Sequence, residues 1–110
     1  MLQDKLLVRH YLLLVCFHDQ LNNQLLCRIL SEQVPNAEVW AYGSRVNGTS
    51  HEGSDLDLVV KGNVDLATLR EQFQQSRLPM LIDLHQWESL PASFHQNIEK
   101  RYVVIQKEKR

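Results

Sequence analysis

Apolar and polar positions change their period several times along the chain. Leu21, Leu25, Leu26, Ile29, Leu30 and Val34 recur at three-to-five spacing, one apolar face of a helix that Pro35-Asn36 ends. Ahead of it, Tyr11 to Phe17 form an unbroken apolar run that predicts a further, buried helix. Residues 37–43, AEVWAYG, are β-branched and aromatic and predict a strand. A short helical turn is expected at Ser44 to Asn47, followed by a polar loop, Thr49 to Ser54. Residues 55–60, DLDLVV, predict a second strand, and Gly62-Asn63 a turn. Leu66, Leu69 and Phe73 fall at helical spacing between Asp65 and Ser76. Residues 80–87 predict a third strand, 88–101 a helix, and 102–106 a last strand before a charged tail.

Strands alternating with helices indicate an α+β (mixed α/β) domain with a small sheet of about four strands flanked by helices. A chain of 110 residues is expected to form one domain, with N-terminal helices over 1–35 and a sheet core over 37–106. The charge balance, 12 Lys+Arg against 13 Asp+Glu, changes the picture by lacking the basic excess of a dedicated nucleic-acid binder; no direct nucleic-acid binding is expected. Cys16 and Cys27 are too few for a disulfide scaffold and form no C-x-x-C zinc pair, which fits the reducing cytoplasm. The apolar run at 11–17 is far short of the roughly 20 residues a membrane span needs. No small-residue cleavage site follows it, so neither an anchor nor a signal peptide is expected.

The candidate chemistry lies in acidic residues set inside apolar strands. Asp55 and Asp57 alternate with Leu56 and Leu58, so both carboxylates are expected on one face. Asp83, between Ile82 and Leu84, alternates in the same way. Asp is depleted in strands, and a carboxylate on an apolar sheet is costly unless it is paired or holds a metal. If these strands are neighbours, three carboxylates converge, and oxygen ligands of that kind suit Mg²⁺ or Mn²⁺ with substrate phosphates. Taken alone, an Asp-x-Asp at a strand edge is more often solvated or capping a turn. Upstream, Gly43 lets backbone approach a ligand closely, and the helical turn opening at Ser44 aims N–H groups at an anion. Arg45 can either reach a triphosphate or face solvent. His85 shares the strand face of Asp83 and reads as a polar edge residue. Trp40, Tyr42 and Trp87 read as packing.

Together these segments spell G-S-x10-D-x-D, which chance composition yields in a chain this long on the order of once in a thousand. The arrangement resembles the signature of the polymerase-beta-like nucleotidyltransferase superfamily. It looks closest to the minimal nucleotidyltransferases, through Trp40-Ala41-Tyr42-Gly43-Ser44-Arg45-Val46-Asn47-Gly48, Ser54-Asp55-Leu56-Asp57-Leu58 and Lys100 to Gln106. The resemblance spans residues 37–106 and implies the fold of that superfamily. It further implies that Asp55, Asp57 and Asp83 bind two Mg²⁺ ions and act in catalysis. Gly43, Ser44 and Arg45 would bind the phosphates of ATP, and NMP would pass to a hydroxyl with release of pyrophosphate. Residues 1–20 match nothing specific in the family.

With so short a chain, no second domain is expected to hold the acceptor, so a partner protein is expected to supply it. Minimal nucleotidyltransferases of this kind are often antitoxins paired with a HEPN-domain RNase toxin. The resemblance therefore implies transfer of AMP from ATP to a toxin tyrosine in a type VII-like toxin–antitoxin system. Two other readings stay open: an antitoxin that masks its toxin by binding alone, and a small-molecule nucleotidyltransferase completed by homo-oligomerisation.

Overall fold

A computed structural model describes residues 20–43, 55–79 and 81–108. The expected helix at 11–17, the phosphate-loop residues Ser44 and Arg45, and His51 lie outside the described residues. The chain forms helix α1 (Gln20–Gln33), strands β1 (Glu38–Tyr42) and β2 (Leu56–Lys61), and helix α2 (Leu66–Gln74). Strand β3 (Ile82–Gln86), helix α3 (Ala92–Lys100) and strand β4 (Val103–Gln106) follow. The sheet order is β3-β2-β1-β4, with β1 antiparallel to β2 and β4 and with β2 parallel to β3. A parallel pair needs a crossover, and α2 supplies it between β2 and β3.

The period-two pattern of the strands divides the sheet into two faces. Val39, Ala41, Leu56, Leu58, Val60, Leu84 and Val103 meet Leu26 and Leu30 of α1 and Leu69 and Phe73 of α2. This is the main core, and Leu26, Leu30, Leu56, Leu58 and Leu69 are fully buried in it. Burying a side chain of this size contributes roughly 1.5–3 kcal/mol, so this face supplies most of the driving force. The opposite face is thinner. There Trp40, Val59 and Ile98 pack with Tyr42, Trp87, Leu90 and Val104. Tyr102 stacks on Trp40 at 3.9 Å, His95 stacks on Trp87 at 3.7 Å, and the Lys61 ammonium lies 3.5 Å from the Trp40 ring centre. Both tryptophans thus pack as expected, Trp87 from just beyond its strand.

Element ends differ from the expected ones. Asp55 precedes β2 instead of opening it. Asp65 is the N-cap of α2; its side chain accepts from the Thr68 N–H at 3.1 Å, and the Thr68 hydroxyl and backbone hydrogen bonds hold its carboxyl below the usual range. The helix expected from residue 88 starts only at Ala92. Trp87–Ser89 form a 3-10 turn, and Pro91 disfavours helical geometry at Leu90, which is extended.

Gln106 closes the fold over a long sequence distance. Its side-chain Nε2 donates to the carbonyls of Val34 at 2.7 Å and Ala37 at 2.9 Å, joining β4 to the end of α1. Gln106→Ala is expected to cost about 1–3 kcal/mol, because two half-buried carbonyls lose their donor. Urea unfolding should show a lower midpoint with an unchanged slope.

Candidate active site

β1 and β2 run antiparallel in a register that sets Tyr42 opposite Asp57, and the parallel β2–β3 pair sets Asp57 opposite Asp83. Three side chains on three adjacent strands therefore line up across the thinner face. The strand alternation that buries Leu56 and Leu58 in the main core leaves Asp57 on this side. Two of the three expected carboxylates are brought together in this way. Asp55 sits exposed just before β2, close enough for its charge to act on Asp57. Among the described residues no three His, Cys, Asp or Glu side chains are gathered into a ready-made metal cage.

Burial, followed by the negative charge of Asp83, pushes the Asp57 carboxyl from 3.8 up to about 6, with the imidazole of His85 opposing and Asp55 adding to the rise. Tyr42 is displaced in the same direction. Desolvation, then the charges of Asp57 and Asp83, raise its phenol well above the usual value, so it stays protonated. His85 Nε2 donates to Asp83 Oδ2 at 3.2 Å and fixes that carboxylate on its solvent side. These are oxygen donors whose negative charges act against one another. Such a set fits a hard divalent ion, which is bound by one or two carboxylates together with substrate phosphates.

Gly43 follows Tyr42 with φ +85°, a conformation that disfavours any residue with a Cβ. A Cβ built there would overlap the Asp57 carboxylate. The glycine is thus required twice, by its backbone angle and by the approach of Asp57. Of the expected site residues, Gly43, Asp57 and Asp83 are brought together, Asp55 stands at their edge, and Ser44 and Arg45 fall outside the described residues. Two further neighbours were read from the sequence only as packing or as a polar edge: Tyr42 and His85. The step from Asp83 to His85 is legible as period two, whereas the register that brings Tyr42 beside Asp57 is not.

The surroundings of the site are open. Asp55 and Asp83 border a cleft of about 630 Å³ that Arg70, Leu78 and Leu81 also line. Among the described residues no helix is long and apolar enough to cross a membrane.

Comparison with known proteins gives the family. The nucleotidyltransferase domain family matches residues 24–107. The chain is 40% identical over 87 residues to the probable protein adenylyltransferase MntA of Haemophilus influenzae, covering 74% of this chain and 76% of that protein. In fold it is similar to a toxin–antitoxin crystallised with AMP-PNP, with a TM-score of 0.67 at 21% identity over 80% of this chain and 75% of the other. The toxin–antitoxin MntA-HepT gives a TM-score of 0.61 at 20% identity, over 81% and 73% of the two chains. A mixed sheet with its carboxylate pair beside a left-handed glycine, in a chain that the family matches over most of its length, belongs to the nucleotidyltransferase domain family, and the protein is a nucleotidyltransferase.

Proposed function

We propose that the protein transfers AMP from ATP to a hydroxyl, that of a tyrosine, on a partner HEPN RNase toxin, and that it is the antitoxin of that pair in the cytoplasm. The observation that carries the reading is the facing pair Asp57 and Asp83 beside the bare Cα of Gly43. The 40% identity to a probable protein adenylyltransferase supports a protein acceptor. The toxin–antitoxin chains that share the fold support the class of partner.

Asp55, Asp57 and Asp83 would hold two Mg²⁺ ions, or Mn²⁺ in their place. When bound, such ions neutralise the triphosphate and stabilise the attacking and leaving oxygens of an in-line displacement. The protein's own groups do the rest. Gly43 lets the Asp57 carboxylate come against the backbone, and the family resemblance implies that Gly43, Ser44 and Arg45 would bind the triphosphate. His85 orients the Asp83 carboxylate, which accepts the proton of the incoming hydroxyl. The hydroxyl oxygen bonds to the α-phosphorus, the bond from that phosphorus to the bridging α–β oxygen breaks, and pyrophosphate departs.

Incubating the full chain with ATP, Mg²⁺ and its HEPN partner, then weighing both intact chains, tests this. The partner should gain one or more AMP units. A stable complex of unchanged mass would instead mean masking by binding alone, and turnover of a small hydroxyl compound with no partner present would mean a small-molecule enzyme.

A further inference from the structure

An aromatic row crosses the candidate site and ends at a side chain that the reaction outlined above does not use. The rings of Tyr42 and His85 lie 6.4 Å apart, and His85 lies the same distance from Phe94 at the start of α3. Phe94 is 41% exposed, and among the large hydrophobic side chains of the described residues only Leu81 is more exposed. Its neighbour in the row is not free to turn away, since His85 is held by its hydrogen bond to Asp83. The main core is built on the other face of the sheet, so Phe94 adds little to it.

The order of the strands gives this row a direction. Gly43, where phosphate would be cradled, lies at the end of β1, on one side of Asp57. Asp83 and His85 lie on the other side, on β3, which is an edge strand. In-line displacement requires the attacking oxygen to enter opposite the departing pyrophosphate. The acceptor must therefore arrive over β3, beside Asp83. Next to Asp83 on that strand the side chains are aromatic, His85 at hydrogen-bond distance and Phe94 beyond it.

We propose that His85 and Phe94 form a shelf that receives the ring of an aromatic acceptor, selecting a phenolic hydroxyl over an aliphatic one. The inference rests on the AMP-transfer reading and deepens it, by naming the residues that set acceptor class. A phenol lying on the shelf places its oxygen toward Asp83, which takes the proton as the oxygen bonds to the α-phosphorus and pyrophosphate leaves. A serine hydroxyl has no ring to seat there, so it gains nothing from the shelf. Offset and edge-to-face ring pairs of this kind lie 4.5–7 Å apart between centroids, and their loss corresponds to about a two- to tenfold change in rate or affinity.

The test uses the full chain, its HEPN partner with the acceptor tyrosine intact or replaced by serine, and Phe94→Ala, Phe94→Leu and Phe94→Trp. Phe94→Ala should raise KM for the tyrosine partner about five- to tenfold with kcat nearly unchanged. Phe94→Trp should restore it and Phe94→Leu should not, and the preference for tyrosine over serine should shrink by the same factor. Affinity for Mg²⁺-ATP, read by melting shift, should stay within about twofold. Weaker Mg²⁺-ATP binding with an unchanged partner KM would overturn the inference, because the shelf would then hold the nucleobase. An unchanged KM and preference would overturn it as well. If the wild-type protein transfers no AMP at all, the AMP-transfer reading itself fails and this inference falls with it.

Discussion

Asp57→Asn is expected to abolish transfer while making the metal-free protein harder to melt. The activity loss should be at least about 10²-fold, since disturbing even the outer partners of a metal ligand costs 10–100-fold. The stability gain follows from the site's own electrostatics. Burial and the charge of Asp83 raise the Asp57 carboxyl to about 6, against 3.8 for the free group. A carboxyl raised on folding is more easily ionised in the unfolded chain, so its ionised form opposes folding. The stabilisation from its protonation is fully present below about pH 4 and is lost as pH rises through 6. At pH 8 the wild-type fold carries the whole cost, and Asn, of the same shape and no charge, removes it. The shift would correspond to about 3 kcal/mol if unscreened, at 1.36 kcal/mol per pKa unit. The group is half-exposed, so solvent screening leaves about 1 kcal/mol, or roughly 4–8 °C in Tm. Thermal melts in chelator at pH 8 should therefore show Asp57→Asn above the wild type, with the gap closing by about pH 4. Added Mg²⁺ should raise the wild-type Tm and leave the variant's unmoved. A variant that melts below the wild type at pH 8 would show that Asp57 supports the fold instead of straining it.

Gly43→Ala is expected to damage the site more than the fold. Alanine at φ +85° costs roughly 1–2 kcal/mol for the left-handed conformation alone. The new Cβ would also collide with the Asp57 carboxylate, whose atoms are the nearest ones to it. Those atoms sit at the end of a rotatable side chain, so the collision is relieved by swinging the carboxylate away from its place opposite Asp83. Folding survives with a Tm lower by about 4–15 °C, at 4–8 °C per kcal/mol. Mg²⁺-ATP affinity and transfer should be lost together. Because the two residues compete for one volume, Gly43→Ala and Asp57→Ala should not add: the double variant should melt higher than the sum of the single effects implies. Strict additivity in a double-mutant cycle would show that the two positions do not touch in solution.

Much of this protein is local, and local features can be read without a fold. Period two in 55–60 told that Leu56 and Leu58 share one face and Asp57 takes the other. Period 3.6 told which faces of 20–34 and 65–76 are apolar. A carboxylate inside an apolar strand is costly wherever that strand goes, so Asp57 and Asp83 stood out before any neighbour was known. Gly43 was likewise marked by its place at a strand end, and the spacing of Gly43-Ser44 from Asp55 and Asp57 carried the family. What the chain could not spell out is register, because hydrogen-bonded pairing between strands depends on contacts far apart in sequence. That Asp57 faces Asp83 directly, that Tyr42 faces Asp57, and that Asp55 stands outside the strand are decided only when β1, β2 and β3 assemble. The raised carboxyl of Asp57 and the tight fit at Gly43 arise from that same assembly, since both are interactions between strands. The late start of α3 is by contrast local, since Pro91 holds Leu90 extended, but the placing of Phe94 beside His85 again arises from the assembly.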